Sequence, residues 1–558
     1  MRATAGRASM TGPVKGGAGR PMHRGRTGTG DANRAGSAMT TIRSTFRHAS
    51  IYTLAAVLGK LISFFMLPFY AHILQDIGYG VIGMVETTLA FLMSLMAYGA
   101  RGGIIRLYHQ YPEEKKARVI STGWQVVGGV TAAIVLLLVL VSRPLSRGLL
   151  GSDSYAILLV MALVGFALEL TGQAAASLLL IRRRSVFFSA VGLLRLFVGL
   201  GLNIWLVVIL RWDLFGYFLS SLVTSLVSNG IFIGHALRQC GRGFDREIAR
   251  DLVRFQLPLV PGNLASFAAR QAERILVRFQ LDLASVGILE MGYKFPALIG
   301  LLVNQPFMRS WNTTRTELAE SGDPGAPRHI GQVYTFYLAV ALFAALLIAV
   351  NIRTVLELLT PEQFWPAYRI ARVEALTAVL TGSYMHLSFG LFYAKDTPTM
   401  AKLRGGMAVL KVGLSVLFIS LWGLYGAAFS ACASAALLLG IGGWLAQRRY
   451  AVAWEWRKIA VVAGTALLFF LVLTRWNLRP LAAWRWLEGT ALPHSVELLS
   501  RTFLGTWKEG KAIRLLTERS ALMADFLLRT ALCLPYLAII PVLHYETRQR
   551  LRRLLARR

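Results

Sequence analysis

Apolar runs of about 20 residues recur from Ile51 to Leu543, and they limit what this chain can fold into more than any other feature. Each run is long enough to cross a bilayer as one α-helix. Lipid offers no partner for exposed backbone N–H and C=O groups, so the segment must satisfy them internally. The runs fall at 51–73, 80–100, 119–141, 154–180, 186–210, 214–236, 254–277, 285–308, 331–351, 366–393, 403–421, 423–446, 457–474 and 521–543. By the ~20-residue criterion that is about fourteen spans. The expected fold is all-α, a polytopic membrane protein. A hydrophobic fraction of 55% and a mean hydropathy of +0.53 agree with it.

The formal net charge of +32 would point to nucleic acid if it lay on one soluble face. It lies instead between the apolar runs, where it reads as a topology signal and as contact with anionic headgroups. One set of alternate loops is rich in bases, among them Arg101, Arg106, Lys115, Lys116 and Arg118, then Arg182, Arg183 and Arg184, then Arg448 and Arg449. The intervening set is nearly empty, and Gln75–Tyr79 carries no base. The positive-inside rule then puts both termini and the basic loops in the cytoplasm. Residues 1–50 read as a disordered basic cytoplasmic tail. The long loop from Arg475 to Arg519 would lie outside, its tryptophans and leucines forming an amphipathic helix on the headgroups. Cys240, Cys432 and Cys533 are scattered, and no His/Cys grouping has metal-ligand spacing. Neither a disulfide framework, a metal nor a cofactor is expected.

Charges inside the spans are the functional signal. The stretch Phe255–Pro306 carries Arg270, Glu273, Arg274, Glu290 and Lys294, and helical spacing puts Asn263, Ser266, Arg270 and Glu273/Arg274 in one stripe. Lys60, Arg195 and Lys411 lie similarly deep in other spans. A charge at mid-bilayer costs at least ~2.5–3.5 kcal/mol, so each must face a protein interior or a wet cavity. Two readings compete. Each base pairs with one of Glu86, Glu169, Glu273, Glu290 and Glu374 and locks helices together, Glu290 with Lys294 being the neighbouring pair one turn apart. Alternatively the bases converge to capture an anion, since guanidinium forks grip phosphate oxygens in pairs. On that reading Lys60, Arg195, Arg270, Arg274, Lys294 and Lys411 bind substrate, while Glu86, Glu273 and Glu374 are the acids available for ion coupling. Asp76 and Asp396 read as solvated loop acids, and tyrosines and tryptophans near span ends, Tyr70 included, as an interfacial belt.

A weak internal repeat sets Tyr79-Gly80-Val81-Ile82 against Val286-Gly287-Ile288-Leu289, six spans apart, each after a short turn. An even separation gives both copies one orientation, the parallel kind of repeat. The expected architecture is a six-helix bundle over 51–237, a cytoplasmic linker over 238–253, and a second six-helix bundle over 254–447 related by a pseudo-two-fold axis. An appended helix pair follows over 448–558.

The opening IYTLAAVLGKLISFFMLPFYAHILQDIGYGVIGMVETTLAFL and the entry RFQLPLVPGNLASFAARQAERILVRFQLDLASVGILEMGYKF resemble the two half-openings of the Wzx-type oligosaccharide flippase family. This polysaccharide-biosynthesis family belongs to the multidrug/oligosaccharidyl-lipid/polysaccharide exporter superfamily. The resemblance covers about 51–450 and rests on loose patterns; the basic tail and the 475–519 loop have no counterpart in it. It implies two bundles in a V around a cationic cavity, in the bacterial inner membrane. The implied substrate is an undecaprenyl-pyrophosphate-linked oligosaccharide, with membrane lipids and the polysaccharide polymerase and export machinery as partners.

Other classes fit less well. No G-x-x-x-x-G-K-[ST] is present to bind ATP. A polytopic glycosyltransferase or polymerase acting on lipid-linked sugars would need an external acid/base group, whereas the acids of the 475–519 loop are dispersed. The chain therefore reads as a transporter without catalytic residues. A drug exporter of the same superfamily is a third alternative, but the excess of intramembrane bases over isolated acids argues for an anionic substrate.

Overall fold

The computed structural model describes residues 66–96, 100–182, 184–475 and 520–543. The basic tail, most of the first predicted span with Lys60, the 475–519 loop but for Arg475, and the C-terminal tail lie outside them. Among the described residues the chain is helical, without strands.

The helices of the N-terminal half are α1 (Leu67–Met96), α2 (Ala100–Gln110), α3 (Glu113–Leu140), α4 (Ser142–Leu150), α5 (Ala156–Ala175), α6 (Ser177–Ile181), α7 (Ser185–Asn203) and α8 (Asp213–Cys240). The amphipathic α9 (Arg246–Gln256) leads into α10 (Val260–Gln280), α11 (Leu283–Lys294), α12 (Ala297–Ile299), α13 (Gln305–Glu320), α14 (Ala326–Leu359), α15 (Ala367–Leu387), α16 (Phe389–Tyr393), α17 (Thr397–Trp422) and α18 (Leu424–Arg449). Two more, α19 (Trp456–Arg475) and α20 (Ser520–Leu543), close the series.

Eleven helical segments among the described residues are long and apolar enough to cross a membrane, each at a predicted span. The full fourteen are not met. The predicted span 254–277 does form a helix, α10, but its own charges lower its hydropathy. The span 521–543 is α20, also outside the eleven.

Three aspartates start helices by giving a side-chain oxygen to the first turn's N–H groups. Asp245 accepts from Glu247 and Ile248, Asp282 from Ser285, and Asp396 from Thr399. Prolines explain the main interruption. The predicted span 285–308 breaks after Lys294, where Pro296 has no N–H for the Gly292 carbonyl, and a π-helical turn at Gly300–Asn304 precedes Pro306. The predicted outer turn at Gln75–Tyr79 shrinks to one residue inside α1, Gln75, at φ 60° and ψ −177°.

Packing divides into three sets. In the first half α5 lies against α3 and α8, and α8 against α7. In the second α15 lies against α14 and α18, and α17 against α18 and α10. The pair α19 and α20 packs on α14 through Leu346, Val350, Val462, Ala466, Cys533 and Tyr536. The first two sets meet where α1 crosses α11 and α10. That seam uses the two repeat glycines reciprocally. A methyl at Gly80 would lie 1.9 Å from the Leu283 carbonyl oxygen, and one at Gly287 would lie 2.0 Å from that of Asp76. Only glycine permits so close an approach of two backbones.

Candidate functional site

A cavity of about 590 Å³ lies beside this seam, walled by α1, α7, α8 and α11. Glu86, Arg195, Glu290 and Lys294 line it, with Tyr70, Tyr79 and Tyr217 on the same walls. On α1 helical spacing puts Tyr79 and Glu86, two turns apart, on one face, and the break at Gln75 brings Tyr70 to the same wall. The break after α11 leaves Lys294 at a helix C-terminus, where orphaned carbonyls favour a cation. Its ammonium stands 4.2 Å from the centre of the Tyr79 ring. Tyr217 meets Tyr70 edge-on at 5.8 Å and hydrogen-bonds Glu86.

Arg195 is held from behind. Its Nη1 lies 2.6 Å from Glu169 Oε2, yet 44% of its side chain remains accessible. Glu169 also accepts from Gln173 at 2.8 Å, and Gln173 in turn accepts from Arg101 at 3.4 Å. Asn229 completes the set at 3.5 Å from Glu169. Glu290 pairs with Arg274, whose guanidinium also lies 5.0 Å from the Tyr293 ring centre and donates to Gln271 at 2.8 Å. Counting formal charges, four cations (Arg101, Arg195, Arg274, Lys294) stand against three carboxylates (Glu86, Glu169, Glu290) in this network. The lining alone is balanced, two against two. The positive excess comes from arginines behind it.

A second cluster lies deeper, between α10, α15 and α17. Lys411 Nζ approaches Glu273 Oε1 to 2.7 Å, an ion pair whose angles fall outside those of a directed hydrogen bond. Glu273 is 2% exposed. The Glu374 carboxylate shares this environment, where Glu273, Lys411 and Arg274 are the charges that act on it. Glu374 Oε1 and the Tyr293 hydroxyl are buried without a hydrogen-bond partner among the described residues. With Arg274 paired to Glu290, Lys411 is the one cation left among the described residues against two carboxylates here. The sign is reversed.

Of the predicted site residues, Arg195, Lys294 and Glu86 come together at the cavity, and Arg274 reaches it through Glu290. Lys411, Glu273 and Glu374 gather in the buried cluster instead. Arg270 is exposed on α10 and makes no ion pair among the described residues. Lys60 lies outside those residues. Glu273 and Arg274, adjacent in sequence, point to different partners, as neighbours on a helix must. Tyr70, read as a belt residue, is a cavity wall, and Arg101, read as a loop base, buttresses Glu169. Neither carried a spacing that could have revealed this. Trp205, Trp212, Trp422 and Trp444 are each about half exposed on the outside.

Residues 46–311 match the polysaccharide biosynthesis protein family. The matched stretch includes Arg195, Arg270, Arg274 and Lys294 and ends before Glu374 and Lys411. The resemblance to that family read from the sequence holds over this stretch. Among solved structures, the lipid II flippase MurJ in an inward closed conformation superposes with a TM-score of 0.62 at 13% identity, covering 88% of this chain and 99% of its own. An inward-facing multidrug resistance MATE family transporter of the MOP superfamily gives a TM-score of 0.53 at 16% identity, covering 73% and 96%. At such identities the likeness is one of fold. No curated protein matches the sequence. The chain is a multi-pass membrane protein of this transporter fold.

Proposed function

We propose that the chain is a flippase carrying a polyprenyl-pyrophosphate-linked oligosaccharide across the cytoplasmic membrane, for surface polysaccharide synthesis. The observation that carries the reading is the cavity where Arg195 and Lys294 face three tyrosines, inside a stretch matched by the polysaccharide biosynthesis family. Pyrophosphate oxygens suit a guanidinium and an ammonium, and tyrosine faces and hydroxyls suit sugar rings. The attraction between such charges is stronger in a cavity of lowered dielectric than in water. Arg270, exposed on α10, and Lys60 would add to the path of the anion.

In the cycle we infer, bundles 51–237 and 254–447 rock about the seam of α1 and α11, with both termini in the cytoplasm. Glu374, beside Glu273, takes up and releases the coupling ion, a proton or a monovalent cation, because the second cluster has one carboxylate more than its lysine balances. Glu86 is the other acid open to such a role. The experiment is deletion of the gene followed by analysis of lipid-linked sugars. Complete units stranded on the cytoplasmic face are expected, and truncated units would overturn the reading.

The balanced cavity lining favours one competitor, an exporter of cationic drugs, for which Glu86 and the tyrosines would be the recognition groups. Reconstituted protein that moves a cationic dye but not a lipid-linked sugar would establish that reading instead.

A further inference from the structure

A second groove, of about 430 Å³, lies at the α15 N-terminus and shares no lining residue with the cavity. Arg369, Arg372 and Val373 form one wall, and Trp422, Tyr425 and Phe429 the other. These residues sit where α15 begins, α17 ends and α18 begins, so the groove is at one end of the bundle. The positive-inside topology makes that the outer end.

Arg372 is fixed and partly buried, while Arg369 is exposed beside it. Arg372 donates Nε to the Ala349 carbonyl at 2.9 Å, with its guanidinium 4.9 Å from the Tyr368 ring and 5.7 Å from that of Phe470. Arg369 donates Nε to the Tyr368 hydroxyl at 3.1 Å and lies 5.4 Å from the Tyr425 ring. Neither has a carboxylate partner among the described residues. The nearby acids are engaged elsewhere, Glu357 by Arg353 and Asp525 by Arg529, each within hydrogen-bonding distance. Besides the Tyr368 hydroxyl, the charges acting on Arg372 are those of Arg353 and Arg529, both positive. Below them the floor is aromatic and open to lipid, with Trp422 51% and Phe429 42% exposed. An ordinary interfacial arginine extends along its helix to the headgroups. Arg372 is instead tied to the neighbouring helix about five residues into α15, roughly 7 Å below its start at 1.5 Å per residue.

We propose that this groove binds an anionic glycerophospholipid, its phosphate on Arg369 and Arg372 and one acyl chain along Trp422 and Phe429. Guanidinium groups without carboxylates call for an anion, and the apolar floor calls for a chain attached to it. The site is separate from the path of the transported lipid, so its failure would leave the flippase reading intact.

Native mass spectrometry of the full chain in detergent, titrated with phosphatidylglycerol, tests the assignment. The double variant Arg369→Gln/Arg372→Gln should lose bound phosphatidylglycerol by roughly tenfold or more, the scale of charge-assisted hydrogen bonds. Arg448→Gln, which removes an arginine lying 3.7 Å from the exposed Trp444 ring centre, should lose none. Arg372→Lys should restore part of the binding. Should the double variant not fold, Phe429→Glu on the exposed floor carries the test and should abolish the adduct. Equal binding of phosphatidylcholine, or unchanged adducts in the double variant, would overturn the site. Displacement by millimolar inorganic phosphate alone would show a phosphate site without a lipid, and preference for a polyprenyl phosphate would show a substrate station. Either result also sinks the proposal.

Discussion

The cavity network and the buried cluster use the same kinds of residue to opposite ends. Around the cavity four cations face three carboxylates, and Arg195 keeps nearly half its side chain accessible. In the cluster one lysine faces two glutamates, and Glu273 is almost wholly enclosed. An accessible pair is screened and contributes little to stability, so its charges remain available to a ligand. An enclosed pair cannot lose one member without leaving a charge stranded in low dielectric. Burial, more than residue type, separates charges left open to a ligand from charges that hold the helices together.

The comparison can be broken first at Lys411. Lys411→Met strands Glu273 and should destabilise the chain by about 3–5 kcal/mol, read as a fall in thermal midpoint in detergent. The double variant with Glu273→Gln should recover most of that. A single variant that melts like the parent would show that the cluster is wet after all.

Arg195→Ala should do the reverse. Its stability cost should stay within about 1 kcal/mol, while translocation of lipid-linked sugar falls roughly tenfold or more for the loss of a charge-assisted contact. Lys294→Ala should match it. If either variant chiefly melts, the cavity charges are structural and the distinction collapses.

At the seam, Gly287→Ala places a methyl against the Asp76 carbonyl and should cost about 1–3 kcal/mol by overpacking. Cysteine labelling beside the seam should rise as α1 and α11 are pried apart. Unchanged labelling would mean that the contact does not close this end.

The smallest effect belongs to Asp396. Hydrogen bonds from Thr399, with the Arg449 guanidinium 2.7 Å away, hold its carboxyl below its ordinary 3.8. Its contribution is therefore complete above that value and fades as pH falls through the lower pKa of the folded chain. Asp396→Asn should flatten the acid limb of a melting-point-against-pH curve, and an identical curve would show that the cap carries no proton linkage. The residue is a helix cap with an ion pair, more than the solvated loop acid its sequence position suggested.

How much of this was legible varied with range. Repeated apolar runs are a local property, so the membrane-spanning helices could be read directly, whereas the break after Lys294 in the expected span 285–308 and the capping aspartates came only with the structure. Intramembrane charges could be recognised as exceptional because their cost in lipid does not depend on their neighbours. Their partners could not be read. Arg274 chose Glu290 over its sequence neighbour, Glu273 chose Lys411 from a helix more than a hundred residues away, and Tyr70 turned inward at a break of one residue.

The sequence by itself determined a helical membrane chain with a resemblance to polysaccharide-biosynthesis transporters, because hydrophobic length and charge cost act residue by residue. Only the tertiary structure decided which charges face a cavity and which are enclosed. Pairing and burial depend on how helices from distant parts of the chain cross, and a single glycine or proline at the crossing shifts every side chain beyond it.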